Sequence, residues 1–334
     1  MGMFLERITA ANHRAQARMG DMALRAGLGA AALIASAGAA GAQSIGQSEP
    51  GQLNLQEPAT QVARQVYDLH NFMLVIITGI TIFVLALLVI VILRYNSVAN
   101  KEPATWTHNT PIEVTWTLAP VVILVIIAIP SVQLLLKQED FSKVEPDIVI
   151  KTTGHQWYWS YEYPEQELEF DSFMLGSGEA QMSAEVEAEL AEYGYPPRAW
   201  KLATDTAVVV PVNKTVLVQV TAGDVIHAWA VPAFGVKADG VPGRVNQTWF
   251  NAEKEGVFFG QCSELCGKDH SFMPITVKVV SQEVYDEWVA CSQANDVSDC
   301  PTPTMFEILE AQERVAAAEA AAETRLADAT TEPR

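Results

Sequence analysis

The chain has 334 residues, 49% of them hydrophobic, and a formal net charge of −19. That allows one or two domains plus membrane segments and disfavours a nucleic-acid partner, which would need a basic face. Residues 139–290 hold 24 acidic and 10 basic side chains, and such a surface either attracts a basic protein or simply keeps the domain soluble.

Residues 1–25 include Arg7, Arg14, Arg18 and Arg25, followed by the short apolar run Ala26–Ala35 and small residues up to Gln43. A basic start, a short apolar core and the Ala-x-Ala-like end Ala40-Gly41-Ala42 predict a secretory signal over residues 1–42, cleaved after Ala42. A polar, irregular exported segment, 43–65, comes next. Phe72–Leu93 and Val114–Leu136 are then runs of 22 and 23 residues without a charge, closed by Arg94 and Lys137. Each can cross a hydrocarbon core of about 30 Å. Residues 66–138 therefore read as a transmembrane hairpin. An exported N-terminus leaves the link between the spans cytoplasmic and returns the chain after Lys137 to the exported side.

Past Glu139 the pattern changes to short β-rich runs: Ile148–Thr152, Trp157–Tyr161, Ala207–Val210, Val216–Val220, Val225–Val231, Arg244–Phe250, Gly256–Gly260 and Pro274–Val280. Turn residues separate them, which predicts an all-β sandwich or barrel over residues 139–290. Two short helices are expected within it. One is an acidic insertion, Ser183–Tyr193, with Ser183 as N-cap and Glu185 and Glu187 in its first turn. The other is an amphipathic stretch, Ser281–Ala290. Residues 291–334 are expected to form an acidic, Ala/Glu-rich C-terminal tail, helix-forming and solvated over 304–328. Cys291 and Cys300, nine residues apart in an oxidising compartment, predict a disulfide.

The chemistry concentrates between two of the expected strands. Cys262-Ser-Glu-Leu-Cys266-Gly-Lys-Asp-His270-Ser-Phe-Met273 places two thiols, an imidazole and a thioether on one loop, and a second imidazole, His227, lies upstream. These soft or borderline donors select copper or zinc over magnesium or calcium. A structural Cys₂His₂ zinc site would use four of them and leave Met273 idle. A mononuclear blue-copper site needs one thiolate, so one is left over. Sharing among two coppers, with both sulfurs bridging, uses all five. A plain Cys262–Cys266 disulfide is the remaining reading.

These residues resemble the dinuclear copper (CuA) loop of the cytochrome c oxidase subunit II family. The likeness extends through Gly154-His-Gln-Trp-Tyr-Trp-Ser-Tyr-Glu-Tyr163, Phe170-Asp-Ser-Phe173, Val241-Pro-Gly-Arg-Val-Asn-Gln247 and the Trp106–Pro120 segment, covering roughly residues 60–290. The resemblance implies a cupredoxin-like sandwich anchored by the helical hairpin in a bacterial inner membrane, with its C-terminal domain periplasmic. It implies two copper ions held by His227, Cys262, the backbone carbonyl of Glu264, Cys266, His270 and Met273. It further implies that the Glu264 carboxylate reaches a magnesium or manganese ion at the contact with subunit I. Trp157 would receive electrons from cytochrome c, with Glu162, Asp171, Asp205 and Asp224 facing that partner. Glu113 would stand at the mouth of a proton path into subunit I.

Together these imply a subunit that accepts electrons from cytochrome c and passes them to haem in subunit I, where oxygen is reduced to water and protons are pumped. Two other classes stay open on the residues alone: a membrane-tethered copper carrier and a structural zinc protein. A carrier must release its metal, and five side-chain donors from two separated segments argue against release.

Overall fold

The computed structural model describes residues 46–141, 144–179, 181–308, 310 and 314. The signal expected at 1–42 and its cleavage point, like nearly all of the tail past residue 310, lie outside the described residues.

Among the described residues two long helices come first, α1 (Gln61–Arg94) and α2 (Thr110–Glu139). Thr60 caps α1, its hydroxyl accepting from the Ala63 amide, and Asn109 caps α2 by accepting from the Ile112 amide. At 1.5 Å per residue the 34 and 30 residues reach about 51 and 45 Å, beyond a hydrocarbon core of about 30 Å. Both are apolar all round. Ile82, Leu85, Leu88, Leu124 and Val125 stay more than half exposed, as side chains do when lipid is their solvent. A helix suits that solvent because it satisfies its own backbone. Pro120 and Pro130 are both accommodated inside α2.

After the hairpin the solvent changes and so does the pattern. Among the described residues ten strands form two sheets. In chain order they are β1 (Ile148–His155), β2 (Tyr158–Tyr163), β3 (Leu168–Ser172), β4 (Val208–Pro211), β5 (Thr215–Ala222), β6 (His227–Val231), β7 (Val236–Gly240), β8 (Asn246–Asn251), β9 (Gly256–Cys262) and β10 (Pro274–Val280). One sheet runs β3-β2-β1-β5-β8 and the other β4-β10-β9-β6-β7, with β1–β5 and β4–β10 parallel and the other pairs antiparallel. In the first sheet burial alternates strictly along β1, β2, β3 and β5. The period-2 pleat explains this: Trp159, Tyr161 and Tyr163 turn inward onto Ile150, Phe250 and Ile275, while their neighbours face solvent. Each such side chain, fully removed from water, contributes about 1.5–3 kcal/mol.

The second sheet does not alternate. Every residue of β4, β6 and β10 is buried. Its outer face is covered by the insertion, whose helix α3 (Ala184–Glu192) starts at the expected cap, Ser183. Val186 and Leu190 of α3, with Leu175, Tyr195 and Ala199, pack on the outward side chains Val257 and Phe259 of β9, while Phe258 points into the main core. Met305 completes this second core and is fully buried. The start of the tail is thus part of the packed domain, contrary to the expectation of a solvated appendage: one large apolar side chain fills the gap that α3 leaves.

Helix α4 (Gln282–Ala294) extends past the expected end at Ala290 and presents Tyr285 and Trp288 to the main core. Cys291 near its end is joined to Cys300 by a disulfide. From there the chain turns back, with Lys278 Nζ donating to Thr302 Oγ1 at 2.7 Å and the Met305 amide to the Gly194 carbonyl at 3.2 Å. Upstream, residues 46–60 lie irregularly along the second sheet. The Gly46 amide donates to the Val257 carbonyl, and the Phe259 amide to that of Gly46.

Candidate metal centre

Strands β9 and β10 pair with Gln261 opposite Pro274. Cys262 is therefore the last residue of one strand, and Met273 immediately precedes the other. All four loop donors hang from a loop whose ends are cross-strand neighbours. His227 opens β6, the other neighbour of β9, where Trp229 pairs with Cys262 and the Ser263 amide donates to the Ala228 carbonyl at 3.0 Å. The sheet register thus brings the upstream imidazole to the loop. Close packing depends on Gly154: a Cβ there would lie 2.8 Å from the His227 ring.

The donors fall into two halves. Cys262 Sγ lies 3.8 Å from His227 Nδ1 and 3.3 Å from the Glu264 carbonyl oxygen. Cys266 Sγ lies 3.5 Å from His270 Nδ1 and 3.5 Å from Met273 Sδ. The two sulfurs are 3.9 Å apart, close to each other without a disulfide. Their separation fits sulfurs that share metal ions, and the Cys₂His₂ set plus thioether and carbonyl is complete on both sides. His227, Met273 and Cys266 are almost wholly buried, and Cys262 nearly so.

Without metal the pair cannot hold two charges. Burial pushes the Cys262 thiol up, but hydrogen bonding with His227, the backbone at Ala228 and Glu264, and His270 outweighs it and brings the thiol down to about 6. Burial and the charge on Cys262 push Cys266 up to about 12. Burial lowers His227, and its contacts with Cys262 and Asp224 reverse that and raise it. The metal-free site therefore favours a thiolate on Cys262 and a thiol on Cys266, with His227 shifted toward its charged form, and a soft cation would displace the remaining protons.

A ring of bonds fixes the donors. Asp224 Oδ1 meets His227 Nε2 at 2.9 Å, the ring nitrogen turned away from the sulfur, and its Oδ2 accepts from the Gln156 amide at 2.7 Å. Gln156 Nε2 and Trp157 Nε1 both donate to the Cys266 carbonyl, at 2.9 and 3.2 Å. Trp159 Nε1 donates to the Met273 carbonyl at 3.2 Å. Gln156 escaped the sequence reading because an amide within an aromatic run carries no chemical signal of its own. Trp157 lies outside β2: it and Gln156 form the two-residue turn between β1 and β2, so its indole reaches the loop while Trp159, Tyr161 and Tyr163 fill the core.

The other flagged residues are spread out. Glu162 pairs with Lys151 at 2.5 Å, and Asp171 accepts from Ser160 Oγ at 2.6 Å, both on the outer face of the first sheet. Asp205 accepts from the amides of Phe173 and Thr206; burial raises its carboxyl above the usual range. Asp224 lies at the metal end, its carboxyl pushed up by burial and down further by His227 and two backbone amides. Glu264 is exposed between the two sulfur-bearing residues. Glu113, at the far end of the hairpin, accepts from the Asn109 amide at 3.1 Å and so closes the cap of α2.

A hairpin of apolar helices carrying a cupredoxin-like sandwich, with a soft-donor loop at one end, defines a membrane-anchored protein with a candidate soft-metal site. Comparison with known proteins narrows the class. The family models for cytochrome c oxidase subunit II match over residues 148–280 for the periplasmic domain and 48–134 for the transmembrane domain. Cytochrome c oxidase subunit 2 of Cereibacter sphaeroides is 54% identical over 269 residues, covering 78% of this chain and 88% of that protein. The Arabidopsis thaliana subunit 2 is 42% identical over 249 residues, covering 73% and 90%. The solved periplasmic domain of subunit II of cytochrome oxidase from Bradyrhizobium japonicum is 51% identical, with 45% of this chain and 96% of that chain covered and a TM-score of 0.38.

The chain belongs to the cytochrome c oxidase subunit II family. It is the electron-accepting subunit of an oxidase complex that reduces oxygen, assembled with other oxidase subunits in the inner membrane, its C-terminal domain periplasmic. The family implies a copper centre, and the His227, Cys262 and Cys266 donors lie within 4.8 Å of one another.

Proposed function

We propose that the loop holds two copper ions, with Cys262 and Cys266 bridging them. Each ion would take one imidazole, from His227 or His270, and one weak donor, from Met273 or the Glu264 carbonyl. The observation that carries this reading is the convergence of two imidazoles, a thioether and a backbone carbonyl on two unbonded sulfurs 3.9 Å apart. Zinc would leave the thioether unused. Bound copper supplies a one-electron couple. The chain supplies a rigid, dry pocket in which Asp224, Gln156 and Trp159 hold the donors, so that little rearranges when the electron count changes.

Trp157 is the residue through which electrons arrive from cytochrome c. Its indole bonds directly to the Cys266 carbonyl, which gives a short path from the domain surface to the metal loop. Glu162, Asp171, Asp205 and Asp224 attract the basic face of that partner. The electron then leaves for haem in subunit I. Glu264, exposed between the bridging sulfurs, offers its carboxylate to a magnesium or manganese ion at that contact. Glu113, at the opposite end of the hairpin, serves the mouth of the proton path, and oxygen reduction in subunit I drives proton pumping.

The test is the electron paramagnetic resonance spectrum of the copper-loaded chain after one-electron oxidation from the reduced state. An unpaired spin shared over two copper nuclei supports the reading. A spectrum from a single nucleus, or a silent zinc site, refutes it.

A further inference from the structure

We propose that the exported end of the helical hairpin binds one aminophospholipid, a phosphodiester lipid with a primary ammonium, in a cavity between α1 and α2. The cavity holds about 530 Å³ and has two chemically distinct parts. Leu69 and Phe72 of α1 and Pro130 and Leu134 of α2 form an apolar wall, and Asp68 and Lys137 stand at its rim.

Depth in the membrane comes from the sequence. The uncharged run of α1 begins at Phe72 and that of α2 ends at Leu136. Asp68 and Lys137 therefore sit where hydrocarbon gives way to headgroups. Lys137 Nζ donates to Gln61 Oε1 and Gln65 Oε1 at 3.1 and 3.0 Å, which fixes the two helix ends at one level. Trp249, a residue type enriched at membrane boundaries, donates from its indole to the Gln138 carbonyl at 3.2 Å. It lines a neighbouring cavity of about 940 Å³ that shares Gln133 and Lys137 with the first.

The charges select the ligand. Among the described residues Lys137 has no carboxylate within ion-pair distance, only two neutral glutamine oxygens, and an ammonium has a third donor. Asp68 lines the same cavity without forming an ion pair to Lys137. Arg64, one turn before it, feels the charge of Asp68 but gives its hydrogen bonds to both oxygens of Glu253. One cation and one anion that share a cavity without meeting complement a headgroup that carries both signs. The phosphate would meet Lys137, the ammonium would meet Asp68, and the acyl chains would follow Leu69, Phe72 and Leu134 into the membrane. A lipid with an anionic headgroup leaves Asp68 against like charge. A quaternary choline cannot donate a hydrogen bond to it.

The experiment uses the intact oxidase in lipid nanodiscs with a photoactivatable phosphatidylethanolamine. The proposal predicts crosslinks within residues 61–72 and 130–137, and competition by unlabelled phosphatidylethanolamine but not by phosphatidylcholine or phosphatidylglycerol. Lys137→Gln and Asp68→Asn should each lower the labelling about fivefold, while copper content reports that the subunit is folded and assembled. Labelling insensitive to both substitutions, equal competition by all three lipids, or occupation of these residues by crosslinks to another oxidase subunit would overturn it.

Discussion

The molecule contains two cysteine pairs with opposite fates. Cys291 and Cys300 are bonded, one near the end of α4 and the other nine residues on, and they staple the returning chain to the sandwich. Cys262 and Cys266 are only four residues apart, yet their sulfurs stay 3.9 Å from each other. The difference lies in what surrounds them. Imidazoles, a thioether and a backbone carbonyl converge on the second pair, and one of its thiols is stabilised as a thiolate. The disulfide lacks such a shell: Asn295 Nδ2 near Cys291 Sγ and the Asp296 carbonyl near Cys300 Sγ are its polar neighbours. Environment, more than spacing, separates a ligand pair from a structural bridge.

Breaking each pair tests this contrast. The largest effect is expected at the ligand pair: Cys266→Ser should slow electron uptake from reduced cytochrome c by at least about 100-fold, measured by stopped-flow oxidation of the donor. Replacing Cys291 and Cys300 by Ala should instead cost about 2–3 kcal/mol of stability for a loop of this length. Thermal unfolding would show that loss, and metal analysis should find copper content unaltered.

A smaller effect is expected one bond outward. Asp224→Asn keeps the shape beside His227 Nε2 but removes the charge, and should weaken copper binding about tenfold. A competition titration without cytochrome c separates this from any effect on docking.

The smallest test needs no substitution. In the metal-free chain the folded Cys262 thiol titrates near 6, below its ordinary value of 9.0. Between those values the unfolded chain binds more protons, so this group's contribution is fully present above about 9 and is lost as pH falls through about 6. Cys266, raised to about 12, stays protonated at neutral pH. Iodoacetamide at pH 7.5 should therefore modify Cys262 ahead of Cys266, as peptide mapping would show. Equal labelling of both would contradict the asymmetry.

The sequence showed some of this directly. The uncharged runs 72–93 and 114–136 announced the hairpin, because lipid demands long apolar helices. The soft donors of the loop announced a metal, because few other purposes gather two thiols, an imidazole and a thioether. The insertion was harder to read. Only Val186 and Leu190 of α3 are buried, too few to reveal a partner surface. That surface is supplied by Val257 and Phe259 on β9 and by Met305 across the returning chain. The run Gly256-Val-Phe-Phe-Gly260 held the clue, since a strand apolar on both faces requires cover on both. Gln156 was invisible for another reason: its hydrogen bonds to Asp224 and to the Cys266 carbonyl join distant loops and leave no periodic trace.

Copper bound per chain, measured by elemental analysis on the purified subunit and on Cys262→Ser, decides whether both sulfurs serve one paired site. A paired site requires two atoms in the unaltered chain and their loss in the variant. One atom per unaltered chain, or two retained after Cys262→Ser, would contradict it.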